Sequence, residues 1–473
     1  MLFNSLDYAL FLPIVFILYW FVFQKNLTVQ NAFLLLTSYF FYACWSSKFL
    51  GLIILSTLIN YFFGVLISEK KHHSKAYLTI GIVLNLVILG YFKYYNFFID
   101  NLVALVRIFG AELNIHPLQI ILPIGISFYT FQGISYLTDI YRRQTQPCKD
   151  YLSFSIFITF FPQLVAGPIE RASNLLPQIT ANRVFNPQQA ILGLKLIALG
   201  LFEKIVIADN CAGYVNSIFA NYDQESGSTL FLGAILFSFQ IYGDFCGYSH
   251  VAIGSAHLLG FNLTKNFNYP YLAQNIADFW RRWHISFSYW LRDYIYYPLG
   301  GNKKGEYKKM RNLTIVFLIS GIWHGADWTF VIYGGIHAFL YILFIYYRKW
   351  TKNLSFLNSN PIKPLYDFSA IVVTFLLLTL ARIFFRADNL ENALGYFKQL
   401  SASSLFEKPD ISRLFVALMF GFLFLEWIQR NKDHLLDLSN IKNKLIRYSI
   451  YFIILFLIFY NVGNNQSFIY FQF

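Results

Sequence analysis

Charged residues are scarce in this sequence, and their scarcity excludes an ordinary water-soluble domain. Asp, Glu, Lys and Arg make up 13% of the 473 residues, whereas soluble domains average about 25%. Hydrophobic residues make up 57%, and the mean hydropathy is +0.48. The composition therefore predicts an integral membrane protein.

Several familiar functional patterns are also missing. The four cysteines form no C-x-x-C pair, so neither a disulfide framework nor a metal site is predicted. The sequence has no phosphate-binding loop, no G-x-S-x-G elbow, no H-E-x-x-H and no EF-hand pattern. No basic residue precedes Lys25, so residues 8–23 are predicted to be a retained first span rather than a cleaved signal peptide.

Basic residues exceed acidic ones, giving a net charge of +13. In a membrane protein this excess belongs first to cytoplasmic loops, so no nucleic-acid partner is predicted. The basic loops Glu69–Lys75 and Lys303–Arg311 orient the spans and predict that both termini lie outside. The apolar runs predict about 11–12 membrane helices without the internal repeat typical of many transporters. Gly243-Asp244 is predicted to separate two of these helices, residues 230–242 and 245–259.

Two stretches depart from ordinary membrane helices. Residues 154–165 are apolar but too short to span, and Pro162 breaks them, so a re-entrant element is predicted. Residues 274–301 predict one amphipathic helix along the cytoplasmic side. Arg281 and Arg292 share one of its faces. Another face carries apolar residues and a histidine at helical spacing, namely Trp280, Trp283, His284, Phe287, Leu291 and Tyr294.

Two tryptophan-framed histidines are the leading candidates for chemistry. His324 lies in the segment Gly321–Trp328, between two apolar runs, and His284 lies upstream in the aromatic face. An ionisable group at membrane depth predicts a functional site, although a single histidine is as often held by a backbone carbonyl inside the bundle. With an ordinary pKa near 6.5, a neutral His324 suits proton abstraction from a hydroxyl. His284 would be its partner or a substrate-positioning group.

The basic residues on the cytoplasmic side have two interpretations. Arg281, Arg282, Arg292 and the Lys303–Lys309 loop could hold a phosphorylated carrier through their positive charge. Alternatively, these residues could only enforce the membrane topology. The sequence leaves both interpretations open.

The segments around both histidines resemble the membrane-bound O-acyltransferase (MBOAT) family. The resemblance is carried by Trp280-Arg-Arg-Trp-His284 and by Gly321–Trp328, and it covers nearly the whole chain. Pro162–Arg171 and Ala381–Ala387 also resemble the bacterial branch that O-acetylates alginate and peptidoglycan. The family implies an all-α membrane fold of about 11–12 helices, with re-entrant and amphipathic helices around a central channel. We expect one membrane domain over residues 1–473, with its motif core at 120–347, C-terminal helices at 367–460 and a tail at 461–473.

The resemblance also implies roles and partners. His324 is expected to be the catalytic histidine, and His284 to fill the second polar position of the channel. Acetyl-CoA is the implied donor, and a periplasmic SGNH-type O-acetyltransferase is the implied partner at the bacterial cytoplasmic membrane. An exported polysaccharide is the indirect acceptor, and no bound cofactor is expected. Substrate-binding positions are implied for residues flanking the histidines: Trp280, Arg281, Arg282, Trp283, Arg292, Trp323 and Asp327. The branch usually has aspartate where this chain has His250, so that position receives no role.

The last six residues, Phe468–Phe473, resemble the end of a small partner peptide in the related D-alanylation system, whose tyrosine carries the acyl group. The resemblance implies that Tyr470 is a covalent acetyl carrier fused to the enzyme. A phenol has a pKa of about 10, so its acetyl ester is activated enough to relay the group from thioester to sugar. The alternative is that Tyr470 is an interfacial aromatic, like most of the 34 tyrosines.

The leading prediction is a transmembrane O-acetyltransferase that serves a cell-wall polysaccharide, most readily peptidoglycan. Alginate or another exopolysaccharide is the nearest alternative acceptor. D-alanyl transfer to teichoic acid is a further alternative, although it would call for a carrier protein and a separate small peptide. A polysaccharide exporter with the histidines lining its conduit, or a non-catalytic scaffold, represents a different class of function.

Overall fold

The computed structural model of the chain describes residues 1–113, 115–165, 167–351, 362–463, 466, 468 and 469. These residues form helices and loops, and no strand occurs among them. Six helices are long and apolar enough to cross a membrane, and two shorter apolar helices accompany them. The predicted all-α, polytopic membrane fold is confirmed. The full count of membrane helices and the side on which each terminus lies stay predictions.

One compact unit comprises residues 1–197 and 251–264. Its polar side chains pair inside the helix bundle, as burial among apolar helices requires: Asn60 and Asn85 exchange amide hydrogen bonds of 3.1 and 2.9 Å. The predicted short element at 154–165 is two short buried helices, α7 and α8. The helices are α1 Leu6–Ile17, α2 Leu27–Ala43, α3 Ser47–Glu69, α4 Ser74–Leu89, α5 Tyr95–Ile108, α6 Ile126–Tyr141, α7 Tyr151–Thr159, α8 Phe161–Leu164, α9 Ala172–Thr180 and α10 Pro187–Leu201, the last of which runs beyond the unit.

The other compact unit comprises residues 198–250 and 265–473. Among the described residues, it holds every predicted site residue. A π-helical turn, Phe202–Ala208, continues α10 into this unit, and a second one, Arg292–Tyr296, follows α14. The α-helices are α11 Asp209–Ala220, α12 Gly227–Leu258, which begins here and ends in the first unit, α13 Ile276–Arg282, α14 Ile285–Leu291, α15 Glu306–His324, α16 Trp328–Thr351, α17 Lys363–Arg386, α18 Leu390–Ala402, α19 Arg413–Gln429 and α20 Lys444–Asn461.

Two sequence-based predictions about these helices are wrong. The predicted break at Gly243-Asp244 does not occur, because α12 is one continuous helix. A side chain at Gly243 would place its Cβ 2.7 Å from the carbonyl oxygen of Glu203, so this glycine permits close helix packing instead of ending a helix. The predicted single helix over 274–301 is broken between α13 and α14, where His284 adopts φ +43°. A left-handed backbone is costly for a non-glycine residue and often marks a functional site.

Close packing of α15 against α16 positions His324. A Cβ added at Gly321 would overlap the carbonyl oxygen of Phe330, and one added at Gly334 would overlap that of Phe317. Small residues let membrane helices approach closely at such crossings. His324 is the last residue of α15, so this hairpin fixes its backbone on a rigid element.

Candidate active site

His324 lies in an aromatic enclosure. His324 is 3% exposed to solvent. The rings of Phe287, Tyr333 and Phe385 have centroids 5.8, 6.1 and 5.2 Å from the imidazole. Apolar walls of this kind keep bulk water away and strengthen the electrostatic interactions of a reacting group. The enclosure suits a general base for a reaction in which hydrolysis must be avoided.

His284 is fully buried beside the same phenylalanine, with a ring centroid 4.9 Å from that of Phe287. Its Nδ1 lies 3.2 Å from Oδ1 of Asn266, whose amide nitrogen donates to Ser249 at 3.1 Å. Because Asn266 presents an oxygen, Nδ1 carries the proton and Nε2 keeps its lone pair. His284 lies outside the candidate membrane spans, and burial lowers its pKa well below the ordinary value. The ring is therefore neutral near pH 7.

A third histidine, His337, was not predicted from the sequence. His284, His324 and His337 together are called the histidine cluster. His337 is 1% exposed, and its Nδ1 accepts a hydrogen bond of 3.2 Å from the indole N–H of Trp280. Its ring is 4.4 Å from Tyr333, which also faces His324. The available signal was an ionisable residue within the apolar run Trp328–Thr351. Trp280, His337, Tyr333 and His324 thus form one continuous line of contacts.

A cavity of about 1200 Å³ has Trp280 in its wall. In the described part of the chain its lining includes no acidic side chain. Positive charges at such a surface bind phosphate groups, and aromatic rings stack on planar ligands. The lining combines the basic residues Arg281, Arg292, Lys309, Arg348 and Lys349 with the aromatic residues Trp280, Tyr289, Tyr296, Tyr297, Phe317, Tyr341, Phe344 and Tyr366.

The predicted basic residues do not all reach this cavity. Arg281, with a side chain 69% exposed, and Arg292, whose guanidinium lies 4.4 Å above the ring centre of Tyr289, both line it. They do so from separate segments, α13 and the π-helical turn after α14. Arg282 instead pairs with Asp278 at 3.0 Å and is absent from the lining.

The remaining predicted positions have different environments. Trp323 stacks on Phe287 with ring centroids 4.2 Å apart. Trp283 lies 5.1 Å from the guanidinium of Arg382, a fully buried arginine that the sequence analysis did not single out. Asp327 accepts the backbone N–H of Thr329 at 2.8 Å and so caps the start of α16. A substrate-binding role for Asp327 stays a prediction.

Two described residues of the C-terminal tail lie in the core of this unit. Tyr470 itself lies outside the described residues, whereas Phe468 and Ile469 are 0% and 2% exposed. The ring of Phe468 lies 6.2 Å from Phe245, whose ring lies 4.6 Å from His284. The residues just before Tyr470 are therefore held on the His284 side of the histidine cluster.

Buried charges hold the tail in this position. Lys204 on the π-helical turn contacts Asp209 at 2.7 Å and Asp244 at 2.6 Å, and it donates to the carbonyl oxygen of Gln466 at 3.0 Å. Asp244 in turn accepts the backbone N–H of Ile469 at 2.6 Å. Both contacts are made to backbone atoms, so they hold the tail together with the buried side chains of Phe468 and Ile469.

Comparison with known proteins identifies the family. The profile of the membrane-bound O-acyltransferase family matches residues 16–385. The chain belongs to this family. The MBOAT protein is 39% identical over 391 residues to the probable alginate O-acetylase AlgI of Azotobacter vinelandii, covering 81% of this chain and 74% of that one. It is 37% identical over 429 residues to the peptidoglycan O-acetyltransferase of Helicobacter pylori, covering 84% and 79%.

A more distant relative is the teichoic acid D-alanyltransferase of Bacillus subtilis, 29% identical over 270 residues that cover 55% of this chain and 67% of that one. The predicted family and enzyme class are confirmed: this MBOAT protein is a multi-pass membrane acyltransferase. The roles assigned to individual site residues stay predictions.

Proposed function

We propose that the protein takes an acetyl group from cytosolic acetyl-CoA and passes it to an SGNH-type partner outside the cytoplasmic membrane, which O-acetylates peptidoglycan. The observation that carries this proposal is a spatial arrangement within one compact unit: Trp280 lines the basic cavity and also contacts the histidine cluster. Relatives named for O-acetylation of alginate and of peptidoglycan support the reaction class.

The cavity has the chemistry that coenzyme A requires. Its phosphates need several cationic groups, which Arg281, Arg292, Lys309 and Arg348 supply, and its adenine needs a planar stacking partner, which the tyrosines supply. The uncharged pantetheine arm would then extend past Trp280. This arrangement would deliver the thioester towards the histidine cluster and leave the charged groups at the surface.

The transfer itself needs only one proton carrier. Nε2 or Nδ1 of His324 accepts the proton of an acceptor hydroxyl as its oxygen attacks the thioester carbonyl carbon. The tetrahedral intermediate collapses, the carbon–sulfur bond breaks, and the imidazolium returns the proton to the leaving thiolate. The products are an oxygen ester and free coenzyme A, and His324 ends in its starting state.

The acceptor hydroxyl in this scheme is the phenol of Tyr470. The burial of Phe468 and Ile469 and the contact of the Ile469 N–H with Asp244 support this role, because they hold the residues just before Tyr470 on the His284 side of the cluster. An acetyl phenyl ester retains enough reactivity for a second transfer to a hydroxyl of the partner protein. Both termini are proposed to lie outside, which would let the partner approach the tail.

Intact mass measurement tests this step. Full-length protein incubated with acetyl-CoA should gain one acetyl group, and Tyr470→Phe should abolish the gain. Tyr460→Phe, which removes a phenol that is 77% exposed on α20, is the matched control and should leave it unchanged. An acetyl adduct that persists in Tyr470→Phe would remove Tyr470 from the reaction. An adduct that persists in His324→Ala would remove the proposed base.

The acceptor polymer is tested separately. The relatives named for alginate and for peptidoglycan are 39% and 37% identical, so similarity alone favours neither acceptor. Deletion of the gene should reduce the acetate released from purified peptidoglycan by mild base. Unchanged peptidoglycan acetate with loss of acetate from a secreted polysaccharide would transfer the proposal to an exopolysaccharide.

A further inference from the structure

A second cluster of chemically active side chains lies apart from the acetyl-transfer residues. Cys246 and His250 are four residues apart on α12, so they project from one helix face. Glu203 on the π-helical turn Phe202–Ala208 faces them across the helix crossing. One ligand atom of each of the three residues lies within 4.8 Å of the others.

The distances fit a tetrahedral metal ion. Sγ of Cys246 lies 3.7 Å from Nδ1 of His250, and Nδ1 lies 2.7 Å from Oε2 of Glu203. Ideal tetrahedral zinc bonds of about 2.3 Å to sulfur and about 2.0 Å to nitrogen or oxygen place S and N about 3.5 Å apart, and N and O about 3.3 Å apart. Small side-chain rotations would bring both pairs to these separations.

The backbone is built for this close approach. A Cβ added at Gly247 would lie 2.6 Å from the carbonyl oxygen of Gly200 and 3.3 Å from Cβ of Glu203. Glycine between the two α12 residues therefore lets the π-helical turn come near enough for Glu203 to reach both. π-helical turns inside α-helices occur frequently at functional sites.

A fourth residue, Glu426, places a buried carboxyl group beside this cluster. Tyr242, one turn before Cys246, donates its hydroxyl to Oε1 of Glu426 at 2.5 Å, and Glu426 lies within electrostatic reach of Cys246 and Glu203. Glu426 is fully buried, and its Oε2 has no hydrogen-bond partner in the described part of the chain. A tetrahedral zinc site needs four donor atoms, and this buried oxygen is available as one of them.

We propose that Glu203, Cys246 and His250 bind a divalent transition metal ion, with Zn²⁺ as the best match. A thiolate, an imidazole and a carboxylate suit zinc, whereas Mg²⁺ and Ca²⁺ prefer oxygen ligands alone. Glu426 or a water molecule would supply the fourth ligand. The His250 side chain is 14% exposed, which gives the ion an entry route. An ion bound to Glu203 would stabilise the π-helical turn. Lys204, the residue after Glu203, contacts the tail.

Metal content and cobalt spectra test the proposal on the purified full-length protein. Elemental analysis should find stoichiometric zinc after purification without chelator. Stripping followed by Co²⁺ should give visible d–d bands and a near-ultraviolet thiolate-to-cobalt charge-transfer band. Cys246→Ser should abolish the charge-transfer band, and Glu203→Gln should weaken metal retention at least about tenfold. Cys211→Ser, which alters another buried free cysteine of the same unit, should change neither.

The wild-type spectrum alone can overturn the proposal, even if a variant fails to fold. Wild-type protein without zinc and without a cobalt charge-transfer band would reduce the cluster to a Glu203–His250 ion pair. A charge-transfer band that survives in correctly folded Cys246→Ser would assign the thiolate to another cysteine. Size-exclusion profiles and thermal unfolding curves of each variant establish that the folded proteins are being compared.

Discussion

The histidine cluster and the basic cavity share one wall residue, Trp280, but they are built in opposite ways. His284, His324 and His337 are 0%, 3% and 1% exposed, and two of them have a side-chain hydrogen bond that sets the tautomer. The cavity groups are solvent-accessible, as the 69% exposed side chain of Arg281 illustrates. One region consists of a few buried groups held by hydrogen bonds and ring contacts, whereas the other spreads its charges over exposed side chains.

This difference predicts different responses to mutation. A fixed proton acceptor acts mainly in the transition state, so its loss lowers kcat. An exposed cation contributes to ground-state binding in a high-dielectric environment, so its loss raises KM slightly. Five experiments can break or sharpen this division, beginning with the largest expected effect.

Replacing the central imidazole should have the largest effect. His324→Ala should reduce acetyl transfer by roughly 10²–10⁴-fold, the contribution typical of a general base, with unchanged acetyl-CoA binding. The measurement is a steady-state rate alongside a binding isotherm. His257→Ala, which alters a histidine of the other compact unit, is the control. Unimpaired transfer in His324→Ala would exclude the enzyme mechanism and favour an exporter or a scaffold.

Detaching the tail should come next. Phe468 is fully buried with its ring 4.3 Å from Tyr248, and truncating a buried phenylalanine costs about 3–5 kcal/mol. Phe468→Ala should therefore populate an undocked tail and lower transfer by about 10²-fold or more, without altering acetyl-CoA affinity. Phe459→Ala, at a 74% exposed position on α20, should behave like wild type. Equal rates in both variants would mean that the docked tail is structural only.

Loss of the amide that orients His284 should have an intermediate effect. Asn266→Ala leaves a buried N–H without its acceptor, at a cost of about 1–3 kcal/mol, or about 5–150-fold in kcat. KM for acetyl-CoA should be unchanged, and a parallel rise in KM would contradict a positioning role.

His284 should also make the stability of the folded protein depend on pH. In the wild type the folded pKa of His284 lies well below its ordinary value of about 6.5. The neutral ring is therefore retained as pH falls from 8 to 6.5. Below about pH 6.5 the unfolded chain binds the extra proton first, so stability should fall with acidification. Thermal unfolding from pH 8 to pH 5 measures this loss, which His284→Gln should reduce.

The sequence was sufficient to select candidate site residues that can be recognised from their immediate neighbours in the chain. His324 and His284 are each framed by tryptophan within a few positions, and Arg281 and Arg292 lie near them in sequence. Composition alone was sufficient for the membrane-protein class. The contact between His324 and Phe287, by contrast, joins two different helices, so the spacing of residues along the sequence could not predict it.

The missed features depend on tertiary structure or on unusual backbone geometry. Asn266 orients His284 from 18 positions away, and asparagine in a polar loop has many uses. The break before α14 requires a left-handed backbone at His284, which apolar periodicity cannot reveal because it continues through the break. Cys246 and His250 have a suitable helical spacing, but their third partner, Glu203, lies on another helix. Motif searches detect ligand sets that are close in sequence, so no metal site was predicted.

Neutralising single cations of the cavity should have the smallest effect, and it tests the comparison most directly. Lys309→Gln and Arg348→Gln each remove one lining charge. An exposed ion pair contributes about 0.2–1 kcal/mol, so each variant should raise KM for acetyl-CoA by about 1.4–5-fold and leave kcat unchanged. The double variant should show a weaker dependence of KM on ionic strength, because fewer charges remain to be screened. Lys308→Gln, an exposed neighbour that does not line the cavity, is the matched control. A collapse of kcat in Arg348→Gln, with little change in KM, would show that the cavity and the histidine cluster act as one site, and the division between binding and chemistry would fail.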